Sequence, residues 1–299
     1  MQILYNFIPK FLLVFFFCFT TLVNAQTNNG SSPKNVIDSS DEPHSYFKLS
    51  LNYLSNSIYY GRKDSSLAPY LTPAIRYVNK SGFYAEASVS YLPVSKQSRI
   101  DIGTIGAGYI FYNKDSSLET EFYANKYFTN SKGNSVKSAL KADIGTNVSY
   151  DADFLTVTGE VYGIFSAKAD IVTGLEIAHY FQLDSNDEWS FEPSVTMNAG
   201  TNNFYETYFT DIKYASRRRA IITGDPFIKP IIIKKGFGIL DYEVSAPIKY
   251  EGKKLGLYFT PTYTIPVNPV SFSLNNGSTY KTEKLTNSFF VEVGLFIKL

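Results

Sequence analysis

The chain has 299 residues, 44% of them hydrophobic, with 28 Lys and Arg against 27 Asp and Glu. A formal net charge of +1 gives no electrostatic reason to expect a nucleic-acid partner. The one cysteine, Cys18, lies in a segment expected to be removed, which excludes disulfides, thiol catalysis and cysteine-held metals from the mature protein.

Residues 1–25 read as a signal peptide. Lys10 supplies a positive start, Phe11 to Phe19 a short apolar run, and Val23-Asn24-Ala25 a small-residue cleavage site before Gln26. The apolar run is too short for a membrane helix, which needs about 20 such residues. Residues 26–44 are rich in Asn, Ser and Asp and read as a flexible periplasmic lead-in. From Tyr46 onward the pattern has a period of two. Strands are expected at 46–56, 69–78, 83–92, 100–112, 118–129, 136–150, 154–165, 170–181, 188–199, 237–250, 255–265 and 287–299. The last is the clearest. Phe289, Val291, Val293, Leu295, Ile297 and Leu299 share one apolar face, and Phe290, Glu292, Gly294, Phe296 and Lys298 the other.

The connections alternate between short and long. Residues 79–82, 113–117, 151–153, 182–187 and 251–254 are short, whereas 57–68, 200–236 and 266–286 are long. Short periplasmic turns and longer external loops are the habit of outer-membrane barrels, and an even number of strands returns both ends to the periplasm. Aromatics make up 16% of the chain. On the phase that points apolar side chains outward they collect at strand ends, as interfacial girdles require. Phe47, Tyr77, Phe83, Tyr112, Tyr150, Phe181, Trp189 and Tyr250 fall at the periplasmic ends, and Tyr53, Tyr91, Phe128 and Tyr263 at the external ends. The fold expected over 45–299 is an all-β, transmembrane antiparallel barrel of about twelve strands, with ten or fourteen as alternatives. A further hairpin inside 200–236 would give fourteen, but Pro226, Pro230 and Arg217-Arg218-Arg219 oppose lipid-embedded strands there. Pro73, Pro193, Pro247 and Pro261 fall inside expected strands, where bulges are expected.

Four stretches carry a family resemblance: Tyr53-Leu54-Ser55-Asn56, Pro69-Tyr70-Leu71-Thr72-Pro73, Lys80-Ser81-Gly82-Phe83 and Tyr263-Thr264-Ile265-Pro266-Val267-Asn268-Pro269. They resemble uncharacterised outer-membrane barrel proteins of the Bacteroidota. The resemblance implies location in the outer membrane of a Gram-negative bacterium and the barrel fold. It implies no activity and no catalytic residues. It departs at Leu299, where such barrels often end in Phe.

The inward phase is acidic. It holds Glu86, Asp101, Glu119, Glu121, Asp143, Glu160, Asp170, Glu176, Glu192, Asp241, Glu243 and Glu292, against Lys48, Arg76, Lys141 and Lys298. Twelve strands about 4.8 Å apart and tilted about 40° give a backbone diameter of roughly 24 Å, leaving a lumen of ~10 Å or less. The first reading is therefore a narrow passive channel for small cationic or neutral solutes. The second is a sealed structural or surface-binding barrel that acts through the external loop 200–236. Arg217, Arg218, Arg219, Lys234 and Lys235 of that loop suit phosphate groups such as those of lipopolysaccharide. The expected partners are outer-membrane lipid and the barrel-assembly machinery. Neither a cofactor nor a metal site is expected, and no enzyme activity. The enzymatic alternative, a membrane-surface hydrolase, would rest on His179, which has no companion motif of the kind a triad needs.

Overall fold

A computed structural model describes residues 44–63, 67–95, 98–130, 133, 135–208, 231–232, 236–273 and 279–299. The expected signal segment, nearly all of the lead-in, and Arg217, Arg218, Arg219, Lys234 and Lys235 lie outside the described residues.

Twelve antiparallel strands form a closed ring. They are β1 (Tyr46–Leu54), β2 (Tyr70–Val78), β3 (Phe83–Leu92), β4 (Arg99–Tyr112), β5 (Leu118–Thr129), β6 (Ala142–Asp151) and β7 (Thr156–Phe165). β8 (Ala169–Ala178) resumes at Phe181–Gln182. β9 comprises Trp189–Phe191 and Ser194–Gly200, and β10 Gly238–Ser245 and Ile248–Glu251. β11 (Leu255–Pro266) and β12 (Ser288–Lys298) complete the ring. Each strand pairs with its neighbours in sequence, and β12 also pairs with β1 from Lys48↔Lys298 to Leu54↔Glu292. The Phe47 and Leu299 backbones exchange two hydrogen bonds at that seam.

Closure leaves no open edge, so the backbone of the ring is satisfied without water. The outside is apolar. Phe47, Leu49, Leu51 and Tyr53 on β1, Ile171, Leu175 and Ile177 on β8, and Phe289, Val293, Leu295 and Ile297 on β12 are all exposed. So much exposed apolar surface around a whole ring is stable only against lipid. A closed antiparallel barrel with this exterior is built as an outer-membrane protein. Among the described residues no helix is long and apolar enough to cross a membrane.

The expected girdles form. The Phe47 and Tyr77 rings lie 5.0 Å apart, and Trp189 and Tyr250 5.1 Å apart. Tyr112 is the exception. It pairs with Glu119 and points inward, because the β3–β4 register slips between Ser90 and Tyr91 and reverses the phase of the rest of β4. Tyr109 takes the outward position.

Pro193 and Pro247 fall in the breaks of β9 and β10. Their carbonyls still accept hydrogen bonds, from His179 N–H at 3.1 Å and Glu192 N–H at 3.0 Å. Pro73 and Pro261 stay inside continuous strands. One expectation is corrected. β6 starts at Ala142, and Val136–Ala139 form a short 3-10 helix whose start is capped by the Ser135 hydroxyl. The stretch 200–236 adds no strand to the ring, in keeping with the count of twelve. Its described parts are a short helix, α1 (Asn203–Thr207), and Ile231–Ile232, which pairs with Ser271–Ser273 in a separate small sheet.

Candidate functional site

The lumen is lined by alternate residues of all twelve strands. The structure places every inward acid of the sequence reading on the lumen side but sorts them into different tasks. Glu86 is paired with Arg76 at 2.7 Å, and Asp101 with Arg99 at 2.6 Å. Glu192 is paired with Lys249 at 2.6 Å, and Glu251 with Lys298 at 2.6 Å. Asp170 caps α1, accepting from the Asn203 and Phe204 amides at 2.7 Å each and from the Thr201 hydroxyl at 2.6 Å. Of the four bases expected inside, Arg76 and Lys298 pair with carboxylates, Lys48 lies over the Phe296 ring at 3.9 Å, and Lys141 is exposed at the external rim. Arg76, Lys48 and Lys298 stand in direct register across β2, β1 and β12.

Glu119 stands in register with Tyr112. The other carboxylates form an arc, five of them with neutral partners. Glu121 accepts from the Tyr84 hydroxyl at 2.5 Å and the Asn147 amide at 2.9 Å. Asp143 accepts from the Asn125 amide at 2.9 Å and from the Tyr127 hydroxyl. Glu176 accepts from Thr196 at 3.0 Å, and Glu292 from Tyr258 at 2.9 Å. Asp241 accepts from Asn198 at 2.9 Å and Thr264 at 3.1 Å. Glu160 and Glu243 stand on the same inward phase. Among the described residues none of these seven is in an ion pair. At the first five, hydroxyls and amides satisfy the lone pairs without supplying an opposite charge.

Several tyrosines lie along the wall. The Tyr258 ring covers Gly294, where an added Cβ would come within 2.3 Å of it, and the Tyr84 ring covers Gly108, where a Cβ would come within 2.5 Å. These glycines let the rings lie flat and bring their hydroxyls to the carboxylates.

The external mouth is narrowed by three loops, which strand alternation cannot phase. The loop after β1 makes a small hairpin, Ile58–Tyr59 with Arg62–Lys63. The loop after β5 contributes the 3-10 helix, and the loop after β9 contributes α1. Val136, Ala139, Leu140, Phe204 and Tyr208 pack with Ile164, Val172 and Leu240 from the inner wall, and Tyr59, Tyr60 and Tyr162 join them. Burying these apolar loop side chains against the wall is what holds the loops inward. Gly61 has φ +68, and an added Cβ there would lie 2.6 Å from Pro266 Cβ, so the hairpin tip is pressed against β11. Arg62 fastens it. Its side chain is 1% exposed, donates to the Leu240, Val267, Asn268 and Tyr60 carbonyls at 2.7 to 3.1 Å, and lies 3.5 Å from Glu283.

Sequence reasoning missed Arg62, Lys137 and Lys249. The first two sit in loops. Lys249 follows the same alternation as Asp241 and Glu243 and was legible from it. His179 is where the sequence places it, at the periplasmic end on the outer phase. Its Nδ1 meets the Phe154 carbonyl, and its ring stands edge-on to Phe181 at 4.2 Å, which is a girdle position. Among the described residues no cluster of His, Cys, Asp and Glu could hold a metal ion.

No protein-family model matches the sequence, and no curated protein matches it. Solved structures do. The KdgM porin is 10% identical with a TM-score of 0.46, over 84% of this chain and 99% of that one. The NanC porin is 13% identical with a TM-score of 0.46, over 85% of this chain and 100% of that one. An outer-membrane channel from Pseudomonas putida F1 is 9% identical with a TM-score of 0.33, over 92% of this chain and 100% of that one.

Proposed function

We propose that this protein is a narrow passive channel of the Gram-negative outer membrane that favours small cations and neutral solutes over anions. One observation carries the reading. Glu121, Asp143, Glu176, Asp241 and Glu292 are bonded to Tyr, Asn and Thr side chains and, among the described residues, not to Lys or Arg. A ring of uncompensated carboxylates in a confined lumen concentrates cations and repels anions. The KdgM porin has been solved in complex with disordered oligogalacturonate, a polyanion, and the lumen of the present chain opposes a solute of that charge. Assembly by the barrel-assembly machinery and contact with lipopolysaccharide belong to the same proposal. The reading in which loop 200–236 acts as an external binding surface has less support, since Phe204 and Tyr208, in its described part, are buried inside the mouth and not presented outward.

The test is single-channel recording of the folded protein in a planar bilayer under a KCl gradient. A reversal potential favouring K⁺ supports the proposal. Replacing Glu160, Glu176 and Glu292 together by Gln, which keeps their shape, lowers that preference. Glu192 is left out because Lys249 already neutralises it. Equal cation and anion passage in the wild-type protein would sink the cation reading.

A further inference from the structure

Resting on the channel reading, we propose that Lys137 is the specificity-determining residue of this pore: a cation tethered to an external loop and held on the permeation path, opposing the carboxylate arc. The 3-10 helix that bears it is fixed on all sides. Ser135, Val136, Ser138, Ala139 and Leu140 are buried, the Ser135 hydroxyl accepts from the Lys137 amide at 3.1 Å, and the same hydroxyl meets Ser57 at 2.7 Å. Within this anchored segment Lys137 alone is exposed.

Its surroundings say where that exposure leads. The ammonium lies 5.3 Å from the centre of the Tyr59 ring, inside the mouth. The carboxylates that act on it are Glu292 on β12, Asp143 on β6 and Glu243 on β10. β6 and β12 stand six strands apart in a ring of twelve, on opposite walls. A side chain that feels both walls, and touches open space while its neighbours are buried, projects into the lumen near its axis. Among the described residues Lys137 is in no ion pair, so its charge is shared among the carboxylates and not cancelled by one of them. A positive charge on the path raises the barrier to cations and lowers it for anions, and its effect is strong where walls of low dielectric exclude bulk water. The acid arc and the lysine together set a moderate preference that neither would give alone.

The experiment records conductance and reversal potential for the wild-type protein, Lys137→Gln and Lys137→Glu, with folding of each confirmed by its heat-modifiable mobility in gels. The expected result is a cation-to-anion permeability ratio that rises severalfold in Lys137→Gln and further in Lys137→Glu. A conducting wild-type barrel whose selectivity is the same in both variants would overturn the role of Lys137 and leave the channel standing. If the wild-type protein inserts and stays silent, the channel reading fails. Conductance gained in Lys137→Gln would then show the lysine to be a stopper on the path, whereas silence in both variants would overturn this inference as well.

Discussion

At the scale of single residues, the lumen depends on where a Cβ is absent. Gly294→Ala would push a methyl group into the Tyr258 ring, whose hydroxyl holds Glu292. Overpacking of this kind costs about 1–3 kcal/mol. The displaced ring has only the lumen to move into, so conductance should fall while the barrel still folds. Arg62 is a second such point. Arg62→Met leaves four carbonyls and Glu283 without their cation, and removing one partner of a buried charged network costs about 3–5 kcal/mol. The loss should appear locally, as faster trypsin cleavage at Lys63 with the twelve strands still protected. Lys137 adds a pH dependence. Desolvation inside the narrow mouth pushes its ammonium below the usual lysine range, and Glu292, Asp143 and Glu243 only partly offset this. A lysine with a lowered pKa sheds its proton at a lower pH than a free one, whose value is about 10.4. Cation preference should therefore climb as pH rises toward that range from below, and Lys137→Gln should reduce the climb.

At the scale of elements, strands and loops obey different rules. The strands follow alternation, and their exceptions have causes in the backbone. Pro193 and Pro247 interrupt β9 and β10, and the register slip in the β3–β4 ladder turns Tyr112 inward. The loops after β1, β5 and β9 are held by apolar packing, so their position depends on a few side chains. Replacing Val136 and Leu140 by Ser removes two fully buried anchors, each worth about 1.5–3 kcal/mol of burial. The mouth should then loosen, seen as larger conductance with more frequent fluctuation. Unchanged conductance would mean that these loops do not narrow the path.

At the scale of the whole molecule, closure decides stability. Every strand is hydrogen-bonded on both sides, so the barrel must open cooperatively or not at all. Unboiled protein should run with a different mobility from boiled protein in gels, and trypsin should leave the region 46–299 protected except at exposed loops. A soluble sheet would show neither behaviour. The apolar exterior and polar interior also invert the soluble pattern, which is why an overall composition of 44% hydrophobic residues conceals a membrane protein.

The sequence by itself determined a barrel of about twelve strands, the two faces of every strand but β4, and the aromatic girdles apart from Tyr112, since each of these is a property of period-two alternation along a local segment. Tertiary structure decided what the acids do. Glu192 is paired with Lys249, Asp170 caps a helix and Glu292 accepts from the Tyr258 hydroxyl, although all three look alike in the sequence. Tertiary structure also decided that Arg62 and Lys137 belong to the lumen. Loop residues have no period to phase them, and their place is fixed by contact with walls that lie up to 178 residues away along the chain.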